Sequence, residues 1–193
     1  MGDIECERIA TGMTPKPEIL TVGHSNHEER EFIELLGGAG VQCLVDVRAN
    51  PRSRYEHFNR SPLAGSLKAA GIDYEWLGDE LGGRRTPAPD SPNKAWEDEA
   101  FRGYADHLAS DDFAAGLDRL EELAAMSRVA VMCAEADWTQ CHRRLIADAL
   151  VMQGRRVLHL GPDGSLKEHE ESPALTMEGG SITYPEQQTS LDV

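Results

Sequence analysis

The stretch from Cys133 to Arg143 combines residue types that chemistry often uses. Its pattern is Cys133-x-Glu135-x5-Cys141-His142-Arg143. A helix N-terminus and nearby arginines lower the pKa of a thiol, so one cysteine can act as a nucleophile. The thiols can also bind a metal ion together with His142, His24 or Glu135, or they can form a redox pair. A further interpretation is that Cys133 is only a small, buried apolar residue.

The spacing of this motif does not decide among these alternatives. It differs from the CxxC pairs of common zinc signatures. It also lacks the arginine of the phosphatase pattern, because Thr139 stands at the position where that arginine would be. The nucleophile, the metal site and the redox pair therefore all remain open at the level of sequence.

Arginines are concentrated near these residues, although the chain carries a net charge of −15. Arginine offers a planar fork of donors that suits a phosphate or carboxylate group. The arginines involved are Arg48, Arg52, Arg54, Arg60, Arg84, Arg85, Arg143 and Arg144. We expect them to bind a small anionic or phosphorylated ligand, or one end or flipped base of a nucleic acid. Alternatively, they form a structural network with acids such as Asp46, Glu56 and Asp79.

Composition excludes several classes of protein. An acidic body repels the phosphate backbone, which argues against broad binding to duplex nucleic acid. The 193 residues include no apolar run near the ~20 residues that span a bilayer, and the first residues do not resemble a secretory signal. Four cysteines are too few for a disulfide scaffold. We expect a cytoplasmic protein without membrane contact, and the scarcity of lysine favours a salt-rich cytoplasm.

Strands and helices alternate along the chain, which predicts an α/β fold. The predicted strands are 19–23, 41–47, 72–77, 129–133 and 157–160, and the predicted helices are 27–38, 62–70, 95–109, 111–126 and 139–153. This order predicts an open, mainly parallel sheet of about five strands with helices on both faces, a three-layer arrangement of the Rossmann or flavodoxin type. We expect a flexible lead at 1–17, one domain at 18–171 and a loose polar tail at 172–193.

Ligands of such sheets bind beyond the carboxyl ends of the strands, and the unusual polar residues of this sequence follow its predicted strands. The candidate catalytic residues are Cys133, Glu135, Cys141, His142 and His24. The candidate substrate-binding residues are Ser25, Asp46, Arg48, Pro51, Ser53, Arg54, Phe58, Gly82, Gly83, Arg84, Tyr104 and Arg143. Alternatively, His24 caps a turn, Asp46 orients Arg48 or His24, and Tyr104 packs in the core. His159 is either a wall of the pocket or a buried neutral histidine.

Several of these motifs together resemble one known family. They are Gly23-His24-Ser25-Asn26, Asp46-Val47-Arg48, Pro51-x-Ser53-Arg54, Leu81-Gly82-Gly83-Arg84, Gly103-Tyr104, Met132-Cys133-Ala134-Glu135 and Cys141-His142-Arg143. In this order they resemble the DUF488 family of compact α/β proteins, over residues 19 to 169. The resemblance implies that these residues form a shared site, and it implies no particular reaction.

These observations support three hypotheses about function. The first is an enzyme that acts on a nucleotide or a nucleic-acid component through the thiols, Glu135 and the histidines. The second is a binding module for a nucleotide or nucleic-acid end, which needs the arginines but not the thiols. The third is a zinc or iron site formed by Cys133, Cys141 and a histidine. The sequence identifies neither a cofactor nor an oligomeric state.

Overall fold

Strands and helices alternate as expected in the computed structural model, which describes residues 18–186. The strands are β1 (Ile19–Gly23), β2 (Cys43–Asp46), β3 (Asp73–Trp76), β4 (Val129–Cys133), β5 (Val157–Leu160), β6 (Leu166–Glu168), β7 (Thr176–Glu178) and β8 (Ser181–Thr183). The helices are α1 (Glu29–Gly38), α2 (Arg60–Ala69), α3 (Glu99–His107), α4 (Asp111–Met126) and α5 (Arg143–Met152). The predicted lead at 1–17 lies outside the described residues.

The main sheet has six strands in the order β3-β2-β4-β1-β5-β6. The first five are parallel, and β6 pairs antiparallel with β5 at one edge. The buried strands β1, β2, β4 and β5 are almost wholly apolar, as strands covered on both faces must be. The predicted open, mainly parallel sheet is confirmed, with one more strand than expected.

Two hydrophobic cores cover the two faces of the sheet. One contains Phe32 and Leu36 of α1 together with Leu63 and Leu67 of α2. The other contains the inward residues of α3, α4 and α5, with Tyr104 among its fully buried side chains. Helices therefore lie on both faces, which confirms the three-layer architecture. None of the helices within residues 18–186 has the length and apolar character needed to cross a membrane.

Two helices begin four residues later than the sequence pattern indicates. The helix predicted from residue 95 begins at Glu99, because the Asp98 carboxylate accepts hydrogen bonds from the amides of Ala100 and Phe101 and caps it. The helix predicted from residue 139 is preceded by a short 3₁₀ turn at Trp138–Gln140. The backbone is extended at Cys141, so α5 begins only at Arg143. Both cysteines of the motif therefore lie outside helices.

The C-terminal segment corrects the expectation of a loose tail after Ser172. Strands β7 and β8 form a hairpin whose two-residue turn, Gly179-Gly180, has positive φ at both positions. After the hairpin, Tyr184 is fully buried and its hydroxyl donates to the Asp148 carboxylate on α5. The chain is thus anchored to the domain at least as far as Tyr184, and residues 187–193 lie outside the described part.

We expect Tyr184→Ala to lower the free energy of unfolding by about 3–5 kcal/mol, because it removes a fully buried ring and leaves a cavity. Tyr184→Phe, the matched control, keeps the ring and should cost only about 1 kcal/mol for the lost hydrogen bond. Chemical denaturation measures both values. An unchanged unfolding midpoint for Tyr184→Ala would show that the C-terminal segment is not part of the cooperative fold.

Candidate functional site

The parallel pairing of the three central strands brings the site together. Cys133 at the end of β4 is in register with Gly23 at the end of β1, and Met132 is in register with Asp46 at the end of β2. A side chain at Gly23 would collide with the Glu135 carbonyl, so only glycine lets the segment after β4 cross the end of β1. The carboxyl ends of β1, β2 and β4 therefore lie side by side, as predicted.

The donor atoms of Cys133, Cys141 and His142 lie within 4.8 Å of one another. His142 Nδ1 is 3.9 Å from Cys133 Sγ and 3.7 Å from Cys141 Sγ. The other ring nitrogen, Nε2, lies 3.1 Å from the carbonyl oxygen of Val47. Because a carbonyl oxygen only accepts, Nε2 carries a hydrogen, and Nδ1 is the ring nitrogen that faces the two sulfurs.

The two thiols differ in acidity. A hydrogen bond from Cys133 holds the pKa of Cys141 well below its usual value, and His142 and Arg143 act in the same direction. The same hydrogen bond, together with burial, raises the pKa of Cys133 well above its usual value. Cys141 is therefore the more acidic thiol of the pair, and Cys133 is the less acidic one.

Arg143 is buried beside this pair, with only 1% of its surface exposed. Its Nε donates to Cys141 Sγ at 3.5 Å, and its Nη1 donates to Thr21 Oγ1 at 3.5 Å. Its Nη2 donates to the backbone carbonyl of Glu135. The guanidinium therefore donates a hydrogen bond to the sulfur and holds the segment after β4. We expected Arg143 to bind an external anion, but its burial leaves it no exposed face for one.

A second buried arginine, Arg48, is paired with an acid of its own strand end. It donates to both carboxylate oxygens of Asp46, from Nε at 2.9 Å and from Nη2 at 2.6 Å. Its Nη1 lies 3.2 Å from His24 Nε2, which must accept, while His24 Nδ1 donates to the Ser25 carbonyl. The structural alternative to anion binding therefore applies to Arg48, and both ring nitrogens of His24 are occupied.

Two adjoining cavities open at this edge of the sheet. The smaller has a volume of about 150 Å³ and is lined by both cysteines, His142, Tyr104 and Arg84, among others. The larger is a groove of about 630 Å³, whose lining residues are His24, Ser25, Asn26, Ser53, Arg54, Tyr55, Ala134, Glu135, Ala136, Asp137 and Gln140. Glu135 and Gln140 line both cavities, so a single ligand could occupy the two together.

Backbone strain is concentrated at these cavities. Ser25 and Arg84 are the two non-glycine residues within 18–186 that have positive φ, at 47° and 66°. Such conformations cost about 1–3 kcal/mol and are common at binding sites. Ser25 lines the groove and Arg84 lines the smaller cavity, where its exposed side chain is available to a ligand.

The two glycines after Leu81 allow close packing. A Cβ at Gly82 would overlap the Gly78 carbonyl oxygen and lie 2.8 Å from Ala49. A Cβ at Gly83 would lie 3.0 Å from His142 Nδ1, so this glycine packs against the imidazole ring. We predicted that Gly82 and Gly83 bind substrate. Their geometry instead indicates that they allow the backbone to pack closely beside Cys133, Cys141 and His142.

Tyr104 supports the cluster from another side. Its ring lies 5.0 Å from that of His142, and its hydroxyl donates to the Leu81 carbonyl at 2.8 Å. Burial raises the pKa of Tyr104 well above its usual value, so the hydroxyl stays protonated. The predicted alternative of core packing therefore describes most of this side chain, although one part of it lines the smaller cavity.

Several predicted binding residues do not reach either cavity. Phe58 is fully buried and stacks under the His24 ring, with centroids 4.2 Å apart. Pro51 lines a separate depression, together with Arg52 and Arg60. Arg144 lies near Trp96 and donates to Ser172, in another cavity. The arginines thus do not form a ring, and Arg54 and Arg84 are the two that line the joined cavities.

Sequence reasoning missed some residues of the site. The Val47 carbonyl accepts the hydrogen of His142 Nε2 and so orients the ring. No sequence pattern indicates a backbone contact of this kind. Gln140 and Phe101 line the smaller cavity. Gln140 lies between the two cysteines of the motif, so its position in the sequence was the available signal.

Alanine substitutions at the two glycines should have different consequences. Gly82→Ala meets backbone that cannot move, and we expect a loss of about 1–3 kcal/mol in the free energy of unfolding. Gly83→Ala meets only the His142 ring, so we expect a smaller loss and a displaced ring. Denaturation and the NMR signals of the His142 ring distinguish the two. Unchanged His142 signals in Gly83→Ala would contradict this packing.

The acid stability of the protein should depend on His24. Burial, and after it Arg48, lowers the pKa of His24 from 6.5 to about 4. In the unfolded chain His24 binds a proton below about pH 6.5, whereas in the folded protein it does so only below about pH 4. The free energy of unfolding therefore falls as the pH falls through this range.

We expect the wild type to lose on the order of 2 kcal/mol more than His24→Gln between pH 7 and pH 5. Urea denaturation of both proteins across this pH range measures the difference. Parallel stability curves for the two proteins would show that His24 is not held neutral by its surroundings.

The comparisons with known proteins agree with this architecture. Residues 29–150 match the family model described as "Domain of unknown function DUF488". A search of curated proteins found no match to the chain, and a search of solved structures found none. The matched segment covers more than half of the sequence and includes Cys133, Cys141 and His142. The chain therefore belongs to the DUF488 family.

Proposed function

We propose that this protein is a metalloenzyme in which Cys133, Cys141 and His142 hold a divalent ion such as Zn²⁺. The observation that carries the proposal is the convergence of two sulfurs and one imidazole nitrogen within 4.8 Å. Three protein ligands with a fourth position open to a cavity are typical of catalytic zinc. The cavity of about 150 Å³ beside the cluster provides that open position.

The separations of the donor atoms support a tetrahedral ion. With Zn–S near 2.3 Å and Zn–N near 2.0–2.1 Å, sulfur and nitrogen ligands of one tetrahedral ion lie roughly 3.5 Å apart. The distances from His142 Nδ1 to the two sulfurs are 3.9 and 3.7 Å. Only small side-chain movements are needed to close the cluster around an ion.

Surrounding groups support the same function. Zinc-bound histidines usually donate their second N–H to a carbonyl or carboxylate, which fixes the ring, and the Val47 carbonyl is such a partner for His142. Arg143 donates to Cys141 Sγ and would offset part of the negative charge that two thiolate ligands bring into this buried site. These contacts leave Nδ1 and both sulfurs free to face the cavity.

The residues around the cavity favour hydrolytic chemistry on a small anion. A catalytic zinc lowers the pKa of a bound water to near neutrality. Glu135, which lines both cavities, would serve as the general base beside such an ion, and the exposed Arg84 would bind a phosphate or carboxylate of the substrate. The adjoining groove, with Arg54 over the Tyr55 ring, can hold the remainder of a nucleotide or of a nucleic-acid end.

A thiol nucleophile is the second candidate, and the hydrogen bond from Arg143 Nε to Cys141 Sγ favours it. Without an ion, the lowered pKa of Cys141 favours its thiolate, which is the nucleophilic form of a cysteine. His142 Nδ1 and the neutral Cys133 thiol would then carry protons for the reaction. This candidate uses the same residues without an ion.

Metal content distinguishes the two candidates. We expect the protein purified without chelators to contain about one zinc per chain, measured by elemental mass spectrometry, because three ligands converge on one point. Cys133→Ser, Cys141→Ser and His142→Ala should each lose most of it. Cys43→Ser is the matched control, since Cys43 is also buried and lies on β2 away from the cluster, and it should retain the metal.

The absence of metal binding would contradict the proposal of a metalloenzyme. It would be shown by a wild-type protein that takes up neither zinc nor cobalt after reconstitution. Rapid alkylation of Cys141 by iodoacetamide at neutral pH in that protein would support the thiol nucleophile instead.

A further inference from the structure

A chain of buried polar side chains leads away from the cluster into the core. Arg143 Nη1 donates to Thr21 Oγ1 at 3.5 Å, and Thr21 Oγ1 lies 2.7 Å from His159 Nδ1. His159 Nε2 lies 3.0 Å from His169 Nδ1, and His169 Nε2 lies 2.9 Å from Asp148 Oδ1. Continuous hydrogen bonds therefore connect Arg143, which touches Cys141, with a carboxylate on the inner face of α5.

All five side chains are at least nine-tenths buried, and Thr21 and Asp148 are fully buried. The two ends of the chain determine its direction. Arg143 can only donate, and an ionised Asp148 can only accept. When both histidines are neutral, every hydrogen bond consequently points from Arg143 toward Asp148, and each ring nitrogen has one defined role.

The chain also connects two buried charges of opposite sign. Asp148 accepts further hydrogen bonds from the Ser172 amide and hydroxyl and from the Tyr184 hydroxyl, so its carboxylate is fully satisfied. Burial, the largest cause, lowers the pKa of His159 from 6.5 to about 3, so this ring is neutral near pH 7. A buried charge costs least when it is paired or hydrogen-bonded, and the chain supplies that to both ends.

His159 has a second contact with the site. Trp138 stacks on its ring, with centroids 3.9 Å apart and planes 7° apart. Trp138 belongs to the 3₁₀ turn between Cys133 and Cys141. The same imidazole thus supports both the hydrogen bonds of Arg143 and the segment that carries Cys141.

We propose that Thr21, His159, His169 and Asp148 form a relay of positioning residues that holds Arg143 Nε on the Cys141 sulfur. The inference rests on the proposed function of Cys141, as metal ligand or as nucleophile, and it identifies what controls that sulfur. It assigns a role to a buried acid of α5 and to two histidines that touch neither cavity.

Thr21→Val tests the relay, because valine has the shape of threonine and lacks the hydroxyl that joins Arg143 to His159. We expect zinc affinity, measured by competition with a chromophoric chelator, to fall about tenfold or more. We expect the sulfur-to-cobalt charge-transfer band of the Co²⁺ protein to shift. In the metal-free protein, alkylation of Cys141 by iodoacetamide, followed by mass spectrometry, should slow by a similar factor.

Three further variants serve as controls. Thr21→Ser restores the hydroxyl and should recover wild-type values. Tyr184→Phe removes an equally buried hydrogen bond to Asp148 without interrupting the path to Arg143, and it should leave all three readouts unchanged. His159→Gln breaks the relay at another point and should behave like Thr21→Val, which keeps the test decisive if Thr21→Val fails to fold.

The outcomes separate this inference from the proposed function. Wild-type behaviour of Thr21→Val or His159→Gln in every readout overturns the relay. Equal losses in Thr21→Val and Tyr184→Phe also overturn it, because they indicate a general loss of packing. If the wild type binds no metal, the metalloenzyme is refuted, and the alkylation of Cys141 in the same variants still decides the relay.

Discussion

Strand β4 pairs in parallel with both β1 and β2, and this pairing sets the position of every group in the site. It aligns Cys133 with Gly23 and Met132 with Asp46. The chain after β4 then crosses the end of β1, where the amides of His24 and Ser25 donate to the carbonyls of Cys133 and Ala134. Because backbone hydrogen bonds hold this crossing, the sulfurs and the imidazole meet without depending on flexible side chains.

The interior of the site is organised by arginines, which is unusual because buried charges are costly. Arg48 is neutralised by Asp46, and Arg143 lies between Cys141 and the relay that ends at Asp148. Arg48 therefore has an acidic partner inside the protein, whereas Arg143 is held by hydrogen bonds to Cys141 Sγ, Thr21 Oγ1 and the Glu135 carbonyl. Arg54 and Arg84, by contrast, line the two cavities, and they are the arginines that the proposed function assigns to an anionic ligand.

The sequence predicts helices and strands well where the hydrophobic periodicity is strong and structure-breaking residues mark the ends of the elements. It gave the bounds of α4, β4 and β5 as the structure has them, and it placed the chemistry-bearing residues at one edge of a parallel sheet. It missed β6, although Asp163-Gly164 is a typical hairpin turn, because the strand has only three residues and is exposed. It also predicts a loose segment after Ser172, because the contacts that anchor this segment, such as Tyr184 with Asp148 and Asn93, are made with distant parts of the chain.

The sequence could not reveal which arginines face a ligand. A guanidinium that binds phosphate and one that pairs with a carboxylate or a carbonyl look alike in a sequence, and only the fold decides between them. The relay was hidden for a similar reason: Thr21, Asp148 and His169 come from three separate parts of the chain. An acid within the apolar run of α5 was the one visible sign.

In the metal site that we propose, two sulfurs and one imidazole nitrogen bind one ion. X-ray absorption at the zinc edge of the reconstituted protein tests it most directly. We expect two sulfur neighbours near 2.3 Å, one nitrogen at about 2.0–2.1 Å and one further light atom. A shell made only of oxygen and nitrogen, or zinc that a mild chelator removes completely during the measurement, would contradict the account.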